Sequence, residues 1–193
     1  MEPNPVEREA MQQRFGVWAG HWYRLQHSEN VEIVPFVTKE TQRRCGDVRV
    51  VSTIDSTHGW NYDEKVFARR WHGLLVELLQ ASEPNDDGRP TSLGWFYDLQ
   101  SCDYLLCGYY DRATDVEPIE VYRVSLRRLR ALYPRLVSTH GPLRSNTMLT
   151  VKGYGVTVGV VIPWTHLLDH GVVESVYLAT PAEERATWDA SVS

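Results

Sequence analysis

Residues 47–68 read DVRVVSTIDSTHGWNYDEKVFA, and this stretch decides the expected fold. Two β-prone runs, 47–51 and 60–68, flank a polar segment at residues 52–59. Alternating apolar and polar residues on both sides of a polar segment are typical of a β-hairpin with a long loop. The sequence therefore predicts a pair of antiparallel strands at the centre of the fold, with the charged triplet DEK on the second strand.

Helices are predicted on both sides of this hairpin. Residues 6–27 carry apolar and aromatic side chains at three- and four-residue steps, which is the pattern of an amphipathic helix. Ser125 is expected to cap a second helix that runs through Tyr133, and Pro134 is expected to end it. A short third helix is expected at residues 164–170, directly after Pro163.

Further strand-prone stretches predict the rest of a sheet. Residues 71–79 fit either a third strand or a short buried helix, because periodicity does not separate these two structures in a short apolar run. The remaining β-prone segments are residues 31–37, 104–110, 119–125, 147–151 and 154–162. A surface loop is expected at residues 81–91, which are rich in Asn, Asp, Gly and Pro.

This order of elements predicts an α/β (α+β) fold in which helices flank a mixed central sheet. No internal repeat or break in composition marks a second domain. We therefore expect one domain over residues 1–179 and a flexible tail over residues 180–193, which are small and polar.

The composition excludes several classes of protein. With 193 residues, of which 42% are hydrophobic and 23% charged, the chain is neither collagenous nor wholly disordered. It has no apolar run of the roughly 20 residues that cross a bilayer, and residues 1–8 are acidic rather than signal-like, so a cytoplasmic protein without a membrane partner is expected. Three cysteines without a C-x-x-C pair predict free thiols rather than a zinc site.

The triplet Asp63, Glu64 and Lys65 is the strongest chemical signal. Strand side chains alternate, so Asp63 and Lys65 are expected on one face and Glu64 on the other. A carboxylate beside an ammonium is the minimal unit for metal-assisted hydrolysis, in which the carboxylate binds a divalent cation and the lysine serves the attacking water.

A second carboxylate is needed to hold the cation, and Asp47 and Asp55 are the candidates. If the loop is centred between residues 55 and 56, Asp47 falls opposite Glu64, and a bulge or one-residue slip is needed to bring it to Asp63. A tighter turn would favour Asp55 instead. Asp47 is the preferred candidate.

These residues resemble the PD-(D/E)XK nuclease superfamily, in particular its small bacterial and phage members. The resemblance rests on the segment QRRCGD at residues 42–47, on the triplet DEK at residues 63–65 and on Glu77. Weaker similarities follow at residues 94–95, 102–104, 121–132 and 159–163, so it spans residues 9–170. Only the acidic and lysine core of the resemblance is specific to chemistry. Gly46 stands where the superfamily name has proline.

The resemblance implies a restriction-endonuclease-like core and Mg²⁺-dependent hydrolysis of a nucleic-acid phosphodiester, with Mn²⁺ as a substitute and DNA favoured over RNA. Asp47, Asp63 and Lys65 would be catalytic. Asp47, Asp63 and the backbone carbonyl of Glu64 would bind the metal, with Glu77 as an additional or second-metal ligand. A homodimer is compatible with a double-strand cutter. The alternative is a catalytically inactive binding module, such as a phage or host interaction protein.

Arginines supply the candidate phosphate contacts, although the net charge of −5 gives no global attraction to nucleic acid. Guanidinium groups suit bidentate phosphate contacts, and those of the helix after Ser125 could equally form a solvated helix face. The candidates are Arg43, Arg44, Arg69, Arg70, Arg127, Arg128 and Arg130.

Overall fold

A computed structural model describes residues 4–27, 30–68, 72–80, 92–140, 145–149 and 156–179. Five helices lie in this part of the chain: α1 (Pro5–His27), α2 (Lys39–Cys45), α3 (Trp95–Asp98), α4 (Leu126–His140) and α5 (Trp164–Asp169). Among the described residues, no helix combines the length and the hydropathy needed to cross a membrane.

The described strands are β1 (Val31–Pro35), β2 (Val48–Ser52), β3 (Gly59–Phe67), β4 (Gly73–Gln80), β5 (Ser92–Leu93), β6 (Tyr104–Tyr109), β7 (Glu120–Ser125), β8 (Ser145–Leu149), β9 (Val156–Pro163) and β10 (Val173–Leu178). Six of them form one sheet in the order β1-β2-β3-β6-β7-β10, and four form a second sheet in the order β5-β4-β9-β8.

The six-stranded sheet is mixed because one of its pairs is parallel. Strands β3 and β6 run in the same direction, with Asp63 opposite Leu105 and Lys65 opposite Cys107. The other neighbours in this sheet are antiparallel. The chain leaves β3, builds β4, β5 and α3, and then returns beside β3, which makes the parallel pairing geometrically accessible. The α+β class with a mixed central sheet flanked by helices is thus confirmed.

Two hydrophobic clusters cover the two faces of this sheet. Side chains of α1, among them Phe15 and Tyr23, pack with Tyr62 and Leu106 on one face. On the other face, Leu105 belongs to a cluster with buried side chains of α3, α4, α5 and the second sheet. Leu105 and Leu106 are fully buried in different clusters, as expected from the alternation of strand side chains.

Most predicted elements are confirmed, including α1, the β2–β3 hairpin, the β6–β7 pair and the helix after Pro163. Residues 71–79 fall largely on a strand, β4, but β4 pairs with β9 and β5 rather than with β3. The sequence did not indicate this second sheet, because the pair that joins its two halves, β4 with β9, connects segments that are distant in the chain.

One expectation was wrong, and two elements were not predicted. The first of these elements is helix α2, which Thr38 caps by accepting a hydrogen bond from the backbone N–H of Thr41. Pro134 does not end α4, because the buried Leu126, Leu129 and Leu132 hold this helix against the core while Pro134 faces solvent. Strand β10 was not predicted. The loop at 81–91 and the tail at 180–193 lie outside the described residues.

Gly108 is expected to be essential for the packing of α1 on the sheet. A Cβ at this position of β6 would overlap the ring of Phe15, which is fully buried. Gly108→Ala should lower the free energy of unfolding by about 1–3 kcal/mol, measured by urea denaturation. The matched control is Gly20→Ala on α1, where the new Cβ would lie 3.6 Å from Ile33 and should cost nothing. Equal stability of the two variants would contradict this packing.

Candidate metal and nucleic-acid site

The face of β3 that carries Asp63 and Lys65 holds a partly buried ion pair. Lys65 Nζ lies 2.7 Å from Asp63 Oδ2, and the side chains are 33% and 8% exposed. In the parallel register these residues lie beside Leu105 and Cys107, which belong to the cluster shared with the second sheet. The predicted shared face of Asp63 and Lys65 is therefore present, at the edge of a hydrophobic layer.

Asp47 reaches this pair without a bulge. Val48 pairs with Tyr62, and continuing this register places Asp47 opposite Asp63. The expectation that Asp47 falls opposite Glu64 was wrong by one residue, because the connection between the strands is centred on residue 55 rather than after it. A one-residue change of register moves a side chain to the other face, so this correction brings Asp47 to Asp63.

Two hydrogen bonds fix Asp47 against β3. Its backbone N–H donates to the carbonyl of Tyr62 at 2.7 Å, and its Oδ2 accepts from the backbone N–H of Glu64 at 2.8 Å. Asp55, the other candidate, is exposed in the connecting loop and binds Thr57 and His58. The structure thus brings Asp47, not Asp55, to the site.

Gly46 allows Asp47 to approach β3 in this way. Its φ of 94° lies in a region that residues with a side chain rarely adopt, and a Cβ at this position would overlap the carbonyl of Tyr62. Proline, whose φ is fixed near −65°, is incompatible with this backbone. The departure from the proline of the superfamily name is therefore a consequence of how α2 ends.

Electrostatic coupling among the three residues is strong. Burial raises the pKa of Asp47, and the nearby charge of Asp63 raises it further. Burial lowers the pKa of Lys65, but the carboxylates of Asp63, Asp47 and Glu77 outweigh burial and leave that pKa above its ordinary value. The lysine is therefore an ammonium at neutral pH.

Glu77 lies half-buried on β4 and interacts electrostatically with Lys65 and Asp63. Burial raises the pKa of its carboxyl, Lys65 lowers it and Asp63 raises it. The second sheet thus brings Glu77 into electrostatic contact with the Asp63–Lys65 pair. Its role as a ligand stays a prediction, as does that of the Glu64 carbonyl.

The donor set fits a small divalent cation in part. Asp47 and Asp63 offer carboxylate oxygens, the ligands that Mg²⁺ prefers, and a cation between them would relieve the repulsion that raises the pKa of Asp47. Within the described ranges, no three His, Cys, Asp or Glu side chains are grouped closely enough to hold a metal ion. Because Mg²⁺ is usually bound through one or two carboxylates plus water and phosphate, two protein carboxylates are sufficient.

The Glu64 side chain lies on the opposite face of β3, beneath α1. Its Oε1 accepts a hydrogen bond from the Tyr23 hydroxyl at 3.0 Å, and both residues are buried. Burial raises the pKa of Glu64 to about 7, although the Tyr23 hydrogen bond opposes that shift. Sequence analysis missed Tyr23, because it is not among the residues that carry the helical periodicity of α1.

The candidate phosphate-binding arginines differ in their surroundings. Arg43 and Arg44 lie on exposed turns of α2, directly before the site, and Arg43 also pairs with Asp98 at 2.6 Å. Arg127 is exposed on α4. Two others make structural contacts: Arg128 donates to the carbonyl of Gly171, and Arg130 donates to those of Phe96 and Leu99. Arg69 and Arg70 lie outside the described residues.

Comparisons of the chain with protein-family models, with curated proteins and with solved structures found no match. The resemblance of the acidic and lysine residues to PD-(D/E)XK nucleases therefore stays a prediction.

The buried Glu64 carboxyl predicts a specific pH dependence of stability. Its pKa in the folded protein is raised above the unfolded value, so its contribution to stability is full below about pH 4.5 and is lost as pH rises through 7. A change from 4.5 to about 7 corresponds to a loss on the order of 3 kcal/mol.

Urea denaturation of the metal-free protein at pH 5 and pH 8 measures this effect. Glu64→Gln should lose less stability over this interval than the wild type. Glu40→Gln, which changes an exposed glutamate of α2, should behave like the wild type. If Glu64→Gln keeps the full pH dependence, the carboxyl is not the titrating group.

Proposed function

We propose that this protein is a metal-dependent nuclease that hydrolyses phosphodiester bonds in nucleic acid, with DNA favoured over RNA. The observation that carries the proposal is the convergence of Asp47, Asp63 and Lys65 on one side of β3. Asp47 lies between α2 and β2, seventeen residues before Glu64. Its carboxylate accepts a hydrogen bond from the backbone N–H of Glu64. Metal-assisted hydrolysis requires two carboxylates that can bind one cation and a lysine close to the attacking water.

In this proposal Asp47 and Asp63 hold Mg²⁺, for which Mn²⁺ can substitute, and the Glu64 carbonyl and Glu77 are the further candidate ligands. The bound cation would supply positive charge to the phosphate oxygens and make a nearby water more acidic. The protein's own contribution is to place two carboxylates side by side in a partly desolvated position, where their interaction with a cation is stronger than in water.

Lys65 acts through its charge. Its raised pKa keeps the amine protonated in the free protein, which favours donation of a hydrogen bond to the attacking water or to the phosphate over removal of a proton. The Asp63 carboxylate, 2.7 Å away, holds the ammonium in place. Lys65 is therefore proposed to orient the water and to stabilise the negative charge that develops on the phosphate.

The nucleic acid is proposed to approach over α2. Arg43 and Arg44 occupy the last turn of this helix, and Gly46 and Asp47 follow immediately. Arg44 is exposed at this position, and Arg43 can exchange its ion pair with Asp98 for a phosphate, so that both guanidinium groups can neutralise phosphates next to the scissile bond. A cytoplasmic location is part of this proposal.

Cleavage of single- and double-stranded DNA and RNA in the presence of Mg²⁺ or Mn²⁺ tests the proposed activity. Asp63→Ala and Lys65→Ala should each lower the rate at least about a hundredfold, because each removes a charge from the reacting centre. Asp55→Ala and Arg112→Ala, which change exposed residues outside the site, are the matched controls.

Absence of metal-dependent cleavage by the wild type would refute the nuclease. Binding of nucleic acid or protein without turnover would instead support a binding module that keeps the fold without the chemistry.

The path over α2 is tested by the salt dependence of binding. Replacing both Arg43 and Arg44 by alanine should weaken DNA binding and reduce the slope of log K against log salt by roughly two, one for each phosphate that is no longer neutralised. Arg112→Ala, in the β6–β7 connection, is the control. Fluorescence anisotropy without divalent cations measures both quantities, and an unchanged slope in the double variant would exclude this path.

A further inference from the structure

A chain of two hydrogen bonds connects helix α1 to the candidate metal site through β3. The Tyr23 hydroxyl donates to Glu64 Oε1 at 3.0 Å, and the backbone N–H of Glu64 donates to Asp47 Oδ2 at 2.8 Å. The side chain of Glu64 thus points to one face of the sheet, while its amide orients a carboxylate that serves the other face. Tyr62 also links α1 to Asp47, through His27, but it binds the backbone N–H of Asp47 rather than the carboxylate.

The burial of Glu64 is costly and needs a reason. Glu64 is 9% exposed and lies beside a cluster of apolar and aromatic side chains, where a leucine would be the ordinary residue. Gly16 of α1 faces it: a Cβ at that position would lie 3.9 Å from Glu64 Oε2. The helix therefore leaves room for the carboxyl and supplies a hydroxyl that fixes it.

Asp47 in turn depends on Glu64. It precedes β2 and is tied to β3 by its own N–H and by the hydrogen bond from the Glu64 amide. A small rotation of the peptide before Glu64 would misdirect this amide and release the Asp47 carboxylate.

We infer that Tyr23 is a positioning residue for Asp47, acting through Glu64. The inference rests on the proposed function only for its consequence, which is that loss of the Tyr23 hydroxyl weakens binding of the divalent cation. Partners that orient a metal-binding carboxylate commonly change metal affinity by about tenfold or more.

Tyr110 provides a matched control for the loss of a hydroxyl. It is fully buried in the same cluster as Tyr23, and its Oη has no hydrogen-bond partner among the described residues. Tyr23→Phe and Tyr110→Phe therefore make the same chemical change in the same core, but only Tyr23→Phe breaks the chain to Asp47.

Amide hydrogen exchange followed by NMR tests the positioning role without any metal. In Tyr23→Phe the exchange of the Glu64 amide should become about fivefold faster, while the amides of β7 keep their wild-type rates. Tyr110→Phe should leave the Glu64 amide unchanged. Wild-type exchange of Glu64 in Tyr23→Phe, or equal acceleration in both variants, would overturn the inference.

Calorimetric titration with Mn²⁺ tests the consequence for the site. Tyr23→Phe and Glu64→Leu should bind Mn²⁺ about tenfold more weakly than the wild type. Tyr110→Phe, which loses a hydroxyl that is not part of this chain of hydrogen bonds, should stay within about twofold of the wild type. A loss in Tyr110→Phe equal to that in Tyr23→Phe would contradict positioning by the hydrogen bond.

The two experiments separate the inference from the proposed function. If the wild type binds no Mn²⁺, the metal-dependent nuclease fails, while the exchange of the Glu64 amide still decides whether Tyr23 positions Asp47.

Discussion

The attachment of Asp47 to β3 is the constraint on which the site depends. Its N–H binds the Tyr62 carbonyl and its carboxylate binds the Glu64 amide, so one residue is held by both its backbone and its side chain. This attachment requires the positive φ of Gly46. The end of α2, the start of β2 and the charged face of β3 are thereby fixed relative to one another.

The two faces of strand β3 hold charged side chains in different surroundings. One face holds Asp63 and Lys65 as a pair beside the second sheet, and the other buries Glu64 under α1. Burying three consecutive charged residues is unfavourable unless each finds a partner. Here each does: Asp63 and Lys65 pair with each other, and Tyr23 donates to Glu64. The proposed metal site would account for this cost, because apolar residues would pack the strand more favourably.

The sequence predicted the local parts of this arrangement and missed the parts that depend on distant contacts. Alternation identified β3 and the shared face of Asp63 and Lys65. The register of Asp47 was missed by one residue, because a long loop does not fix its own centre. Helix α2 is polar and largely exposed, so it has no apolar periodicity, and β4 pairs with β9, some eighty residues later. Tyr23 meets Glu64 only after α1 packs on the sheet.

Anomalous diffraction from crystals soaked in Mn²⁺ tests most directly whether Asp47 and Asp63 share a cation. The account predicts one anomalous peak with oxygens of both carboxylates at about 2.1 Å and with the Lys65 ammonium beside it. A peak elsewhere, or an Asp47 carboxylate turned away from Asp63 in crystals that hold the ion, would contradict the account.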